Sequence, residues 1–282
     1  MTAPGSPTVR RRILASELRR LRSAAGLTQQ QAEELAGLGR ASLSRYESCT
    51  SSPAVPVVEK LLTIYGVEGD REAALLRLAR GARSRGWLRG FRGVVPEWFE
   101  DLVALEGDAS AIQELALHYV PGLLQTEDYA RAILQAGILG LDVEGLVKAR
   151  LARASILDRV PPPEYWVVLC ESAVDCLVGG REVMHEQLKH LAAMAQRPHI
   201  TVQVLPNSHG AHPSMTTPFV LLNFDLAPNF SVVYFDYLTG SLYRDEPHEV
   251  DQYHRAYRHL IKAALPEDQS YRLIASRLRD LS

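Results

Sequence analysis

The amino-acid sequence predicts two domains in series: an all-α domain of five helices, then an α/β or α+β domain around one mixed sheet. Its 282 residues exceed one ordinary domain and suit two. Apolar residues recur only at helical spacing over residues 13–85, whereas short β-branched and aromatic runs appear beyond about residue 110. Charge divides near the same place. Residues 1–92 hold 16 Lys and Arg against 8 Asp and Glu, a net +8; the remaining 190 hold 15 against 25, a net −10. A basic front on an acidic rear is the balance expected of a nucleic-acid reader joined to a separate module.

Residues 1–9 are rich in Pro, Gly, Ser and Thr and read as a flexible tail. Helices joined by short loops fill residues 10–85. Leu14, Leu18 and Leu21 stripe a helix over Ile13–Ala25, which Gly26 stops. Thr28 offers an N-cap hydroxyl, and Gln31 three residues on completes a capping box for a helix to about Ala36. Gly37 supplies the permissive backbone of a tight turn. A third helix is expected from about Arg40 to Glu47, a loop over Cys49–Val55, and a fourth helix striped by Val57, Val58, Leu61, Leu62 and Tyr65. Arg71–Arg85 makes the fifth, with Ala74, Leu75 and Leu78 inward.

Residues 86–109 read as an aromatic-rich connector. Its Trp87, Phe91, Trp98 and Phe99 serve either as glue between modules or as a lid over a pocket in the sheet domain. Residues 110–282 form the second domain. Strands are expected at 165–170, 200–205, 219–224 and 230–238, and helices at 144–158, 180–196, 248–264 and 268–280. Ala111–Val120 suits helix or strand, and Pro121-Gly122 makes a turn before a helix from about Thr126.

The stretch Leu27–Ser48 carries the functional signal. On a helical wheel, Leu43 and Tyr46 point to one side with Gly39 and Ser42 near them, while Arg40, Ala41, Ser44 and Arg45 face the other way. The preceding helix lends Leu35 and Ala36 to the interior. Small outward residues let a helix backbone approach the floor of a major groove about 12 Å wide. Arg40 can donate two hydrogen bonds to a guanine edge, Ser44 can reach a base edge or a phosphate, and Arg45 suits a phosphate. Gln29 and Gln30, at a helix N-terminus, suit a phosphate as well. Arg11 and Arg12, within the Arg10–Arg12 run, would add attraction that salt weakens.

Those residues resemble the helix-turn-helix of Xre/Cro/C1-type regulators, with LTQQQAEELAG leading to a recognition helix around RASLSRYES. Gln29, Gly37, Leu43 and Tyr46 match the family's pattern. Two positions depart from it: Glu33 stands where alanine is usual at the helix crossing, and Gly39 where Ser or Thr often caps the recognition helix. Double-stranded DNA is the expected partner, and a homodimer on a two-fold site is expected because one reader of this size buries too little surface for specific affinity alone.

Further segments, RGWLRGFRGVVPEWFEDLVALEGDAS, VPGLLQTEDYARAIL, VQVLPNSHGAHPSM and VVYFDYLTGSLY, resemble the DUF5753 domain of actinobacterial regulators often labelled Scr1-type and antitoxin-like. That resemblance implies a small DUF397-type protein as a possible partner; a module without catalytic chemistry is in itself expected to sense an unknown small ligand, dimerise or dock another protein. It departs from the family in CESAV, where Cys170 replaces a commonly acidic residue.

Read from the residues, this module shows no catalytic constellation, so neither enzyme activity, metal nor cofactor is expected. Asn207, His209 and His212 in NSHGAHPS, with Asp236 in YFDYLTGSLY, are the candidate ligand or partner residues. Cys170 and Cys176 suit buried, small apolar roles. Three cysteines without a CxxC pair, and no apolar run of membrane or leader type, point to the cytoplasm.

Overall fold

In the computed structural model, residues 9–81, 94–95, 97–137, 142–225, 230–238 and 240–282 are described. The chain divides into two units. One holds residues 1–89 with 100–105 and 225–230; the other holds 90–99, 106–224 and 231–282.

The first unit contains the five expected helices: α1 (Val9–Ala24), α2 (Gln29–Ala36), α3 (Ser42–Glu47), α4 (Val55–Ile64) and α5 (Gly69–Gly81). Leu14 and Leu18 of α1, Ala32 of α2, Leu43 of α3, Leu61 of α4 and Leu75 of α5 are buried together in its core. The turn chemistry follows the sequence. Gly26 and Gly37 sit at φ +69° and +62°, where a side chain would be strained. Thr28 Oγ1 accepts from Gln31 N at 3.2 Å while Gln31 Oε1 accepts from Thr28 N at 2.9 Å, the reciprocal pair expected. Two expectations fail. Leu35, placed in the interior, is 57% exposed, and Ala32 and Ala36 fill that side of α2 instead. The third helix starts at Ser42, so Arg40 and Ala41 belong to the turn before it.

Helix α6 (Glu97–Asp108) occupies much of the segment expected to be a connector. Trp87 and Phe91 lie outside the described residues. Phe99 lies under the Arg153 guanidinium, 5.0 Å from ring centroid to Cζ.

The second unit is built on one mixed sheet: β1 (Ala111–Ala116), β2 (Glu164–Cys170), β3 (Ile200–Leu205), β4 (Phe219–Asn223), β5 (Ser231–Tyr237) and β6 (Gly240–Arg244). The order is β3-β2-β1-β4-β5-β6, with β3, β2 and β1 parallel and the other pairings antiparallel. Around it run α7 (Glu127–Ala136), α8 (Val143–Ala154), α9 (Glu171–Asp175), α10 (Arg181–Met194), α11 (Pro247–Ala263) and α12 (Glu267–Asp280). The ambiguous Ala111–Val120 supplies the strand β1, between β2 and β4. Its alternation is blurred because both faces are largely covered.

The register separates two unlike faces. Leu115, Val168, Leu221, Val233 and Phe235 point to one side and pack with Val250, Tyr257 and Leu260 of α11. Glu114, Tyr165, Tyr234 and Asp236 occupy the alternate positions and so share the other face. The outer edge of β3 is closed: Val204 N donates to Ser270 Oγ at 2.9 Å, and Val204 O accepts from Leu265 N at 2.8 Å.

Buried polar side chains bind elements distant in sequence. Gln187 of α10 accepts from Thr126 N, at the N-cap of α7, at 2.8 Å and donates to Leu124 O at 2.7 Å. Arg153 of α8 forms a bidentate pair with Glu106 of α6 at 2.5 and 2.6 Å, both side chains being almost fully buried. A lone charge left in such a place is costly. Glu106→Gln should therefore destabilise the protein by about 3–5 kcal/mol in urea unfolding, and Glu106→Leu with Arg153→Met should recover most of that loss. Equal stability of wild type and the single variant would contradict this account.

Candidate functional site

Helix α3 has six residues, too few to be stable alone. Its N-cap, Ala41, sits at φ +61° and has no side chain able to cap. The missing acceptor comes from α2: Glu33 Oε1 accepts from Leu43 N at 2.8 Å and Oε2 from Ala41 N at 3.2 Å. A carboxylate at a helix N-terminus satisfies free N–H groups and complements the helix dipole. Glu33 is thus buried but hydrogen-bonded, which explains how an acid is accommodated at the helix crossing. Gly39 is not the cap, contrary to the sequence reading.

The other end is held as firmly. Glu47, the last residue of α3, is 4% exposed. Its carboxylate accepts from Arg22 Nε at 2.7 Å, Arg22 Nη2 at 3.1 Å and Gln29 Nε2 at 2.8 Å, and its carbonyl accepts from Arg19 Nη2 at 2.8 Å. The hydrogen bond to Glu47 raises the Arg22 pKa above its usual value, against burial. Leu43 inserts into the core between these two clamps, while Tyr46 is only half-buried.

Arg40, Ala41, Ser44 and Arg45 are all exposed, as the wheel predicted. Arg40 and Ala41 present themselves from the turn rather than from the helix. Arg45 Nη2 lies 3.3 Å from Ser42 Oγ. Lys60 of α4, which sequence reasoning passed over, is exposed and brings its ammonium to within 3.5 Å of where a Cβ on Gly37 would stand. Gln30 is exposed and donates to Glu34 at 3.0 Å. Gln29 is partly buried, with its amide committed in part to Glu47. Arg11, expected to add diffuse attraction, instead donates to the Cys49 carbonyl, and Arg12 is engaged within the protein as well.

The four ligand candidates of the second unit are not brought together. Asn207 and His209 lie in an exposed single turn after β3, where Asn207 N donates to Glu171 Oε2 at 2.8 Å. His212 Nε2 stands 3.9 Å from Cys170 Sγ, on the α11 side of the sheet. Asp236 belongs to the opposite face. Cys170 fills apolar core space, and burial raises its thiol pKa. Cys176, expected to be buried, is exposed. Glu171 and Asp175 are both held by Arg277, at 2.9 and 2.6 Å.

The face bearing Asp236 is the more polar one. Glu114 accepts from Tyr165 Oη at 2.7 Å, and burial lifts its carboxyl pKa to about 7 against that bond and the nearby Arg153. Arg150, Arg153, Tyr119, Tyr234 and Asp236 lie within electrostatic reach of one another or of Glu114. Of this group the sequence singles out Asp236 alone; the two arginines three residues apart on one helix are its other visible trace.

A family described as a helix-turn-helix domain matches residues 13–76. One described as a domain of unknown function (DUF5753) matches residues 99–276. No curated protein and no solved structure matches the chain. The helix-turn-helix match supports DNA binding as the general role of the first unit. Among the described residues no helix is long and apolar enough to cross a membrane.

Two consequences can be measured. Glu33→Ala should cost about 1–2 kcal/mol in urea unfolding of the first unit, as for other lost caps, with Glu33→Gln milder because an amide oxygen still accepts. Glu114 behaves oppositely to most acids. Its folded pKa near 7 exceeds the usual 4.5, so it favours the folded state below pH 4.5, and that contribution disappears as pH rises through 7. Glu114→Gln should reduce the stability difference between pH 5 and pH 8 by up to about 3 kcal/mol. An unchanged pH profile would contradict the burial assigned to this carboxyl.

Proposed function

We propose, for a chain that belongs to the DUF5753 family and carries a helix-turn-helix domain ahead of that region, that it is a cytoplasmic transcription regulator reading specific double-stranded DNA. One observation carries the reading. Arg40, Ala41, Ser44 and Arg45 form a continuous exposed surface on and before a helix whose ends are both anchored. Such a surface can enter a major groove without reorganising. Arg40 reads a base edge, Ser44 a base or phosphate, and Arg45 and Lys60 neutralise phosphates. Gln29, tied to Glu47, orients the pair of helices and reaches a phosphate with its remaining N–H. A surface this small favours two copies on a two-fold site one helical turn apart. The reading assigns the chain no catalysis; the carboxylates of Glu171 and Asp175 are used in binding Arg277.

A second reading makes DNA contact secondary and the second unit a dock for a small protein, as in antitoxin-like regulators. The net −10 of residues 93–282 favours a basic partner. Co-purification with and without nuclease distinguishes the two, since a DNA-independent complex with a basic protein belongs to this reading alone.

The test of the first reading uses a duplex selected from a random library. Arg40→Ala should weaken that duplex by about 1–3 kcal/mol and random duplex much less, whereas Arg45→Ala should weaken both alike and lower the salt slope by about one. Fluorescence anisotropy across a salt series checks both, and equal losses for both variants on both duplexes would overturn the division of roles.

A further inference from the structure

The exposed side of α11 carries positive charge that the fold leaves unmatched. Val250, Tyr257 and Leu260 bury one side of this helix. Arg255, Arg258, His259 and Lys262 stand exposed on the opposite side, within roughly 100° of one another about its axis. Arg258 and Lys262 form no hydrogen bond or ion pair among the described residues, and Arg255 reaches the Asp251 carbonyl of its own helix at 3.3 Å. By contrast, Arg131, Arg197, Arg272 and Arg277 are each held by a carboxylate. The helix dipole accounts for little of this arrangement. Its attraction for cations fades beyond the last turn, which holds Lys262 but neither arginine.

The sign of this row is the reverse of its surroundings. Residues 93–282 carry a net −10. Exposed acids also bound the row along the chain: Asp251 one turn before Arg255, and Glu267 and Asp268 at the start of α12. From Arg255 to Lys262 the row is about 10 Å long. A duplex carries one phosphate charge per about 1.7 Å of its axis and extends well past such a row, so it would meet those acids. A short segment bearing a few carboxylates spans the row without meeting them. Guanidinium groups suit carboxylates in particular, binding them through two parallel hydrogen bonds.

We propose that the exposed side of α11 docks an acidic segment of a partner protein, with the partner's carboxylates on Arg255, Arg258 and Lys262. The inference goes beyond the DNA reading and does not rest on it. It gives the protein-docking reading a contact whose local charge is opposite to the average of the unit.

The probe is a fluorescein-labelled, alanine-based helical peptide with glutamates at i, i+4 spacing, titrated with the full chain by anisotropy at low salt. The same peptide with glutamine in their place and a random-sequence duplex are the comparisons. The glutamate peptide should bind and the glutamine peptide should not. Arg258→Glu with Lys262→Glu should weaken the glutamate peptide about tenfold or more, since attraction becomes repulsion. A lysine-bearing peptide should gain affinity for that variant. Arg40→Ala with Arg45→Ala should leave the glutamate peptide's affinity within about twofold, because those arginines belong to the first unit. Arg258 and Lys262 are exposed, so the melting temperature should hold. Should the reversal disturb folding, Arg258→Gln and Lys262→Gln carry the test, each weakening the peptide about two- to fivefold. Equal binding of the glutamate and glutamine peptides, or binding indifferent to the α11 variants, overturns the proposal. So does an equal loss of random-duplex affinity on the reversal, which would make this side of α11 a nucleic-acid surface. Loss of self-association in sedimentation would give it to a second copy and overturn the proposal as well. Affinity for the selected duplex is measured separately: its absence alone ends the DNA reading, and absence of peptide binding alone ends this one.

Discussion

The carboxylate of Glu33 does for α3 what α3 cannot do for itself. Six residues make fewer than two turns, with most N–H and C=O groups lacking partners inside the helix. Ala41, in a left-handed conformation, offers no cap. Two hydrogen bonds from a buried acid on the preceding helix fix where α3 begins. Arg19, Arg22 and Gln29 converge on Glu47 and fix where it ends. Only because both ends are held can the outward face be small and polar. Without those clamps, Leu43 alone would have to define both the position and the rotation of the helix.

Charge is therefore used inward as well as outward in the first unit. Arginines that composition alone would assign to a nucleic-acid partner are partly spent on the protein itself: Arg11 on the Cys49 carbonyl, Arg22 on Glu47, Arg20 and Arg71 on Glu17. Around α3, Arg40 and Arg45 stay exposed, with Lys60 beside the turn. The net charge of the segment overstates the interface it can offer.

The second unit repeats the principle with different chemistry. Gln187 caps α7 from α10, Ser270 closes the edge of β3 from α12, and Glu106 neutralises Arg153 across the fold. Each joins segments far apart in the chain through a buried polar contact that would cost free energy if left unpaired. Arg150 differs in kind, since its guanidinium donates to the neutral amide of Gln125 rather than to a carboxylate.

Much of this architecture is visible in local pattern. Helical stripes, the Thr28–Gln31 box, Gly26 and Gly37 and four of the six strands depend on neighbours within a few residues, and the chain shows them directly. The helix-turn-helix surface is visible for the same reason: the period of a helix sorts Leu43 from Ser44 and Arg45. Less visible was anything that depends on a partner distant in the chain. Leu35 looks like a core residue until Ala32 and Ala36 take that place. Glu33 looks like a defect until Leu43 and Ala41 bring it their N–H groups. The central strand β1 hides its alternation because the half-covered Gln113 and Glu114 lie between buried Ile112 and Leu115, and β6 is defined only by pairing with β5. His212 and Asp236 look like members of one site, yet the loop lays His212 beside Cys170 on the α11 side while strand parity sends Asp236 to the other face. Periodicity encodes which way a side chain points; what it meets there is a property of the folded chain, since long-range contacts leave no regular spacing in the sequence.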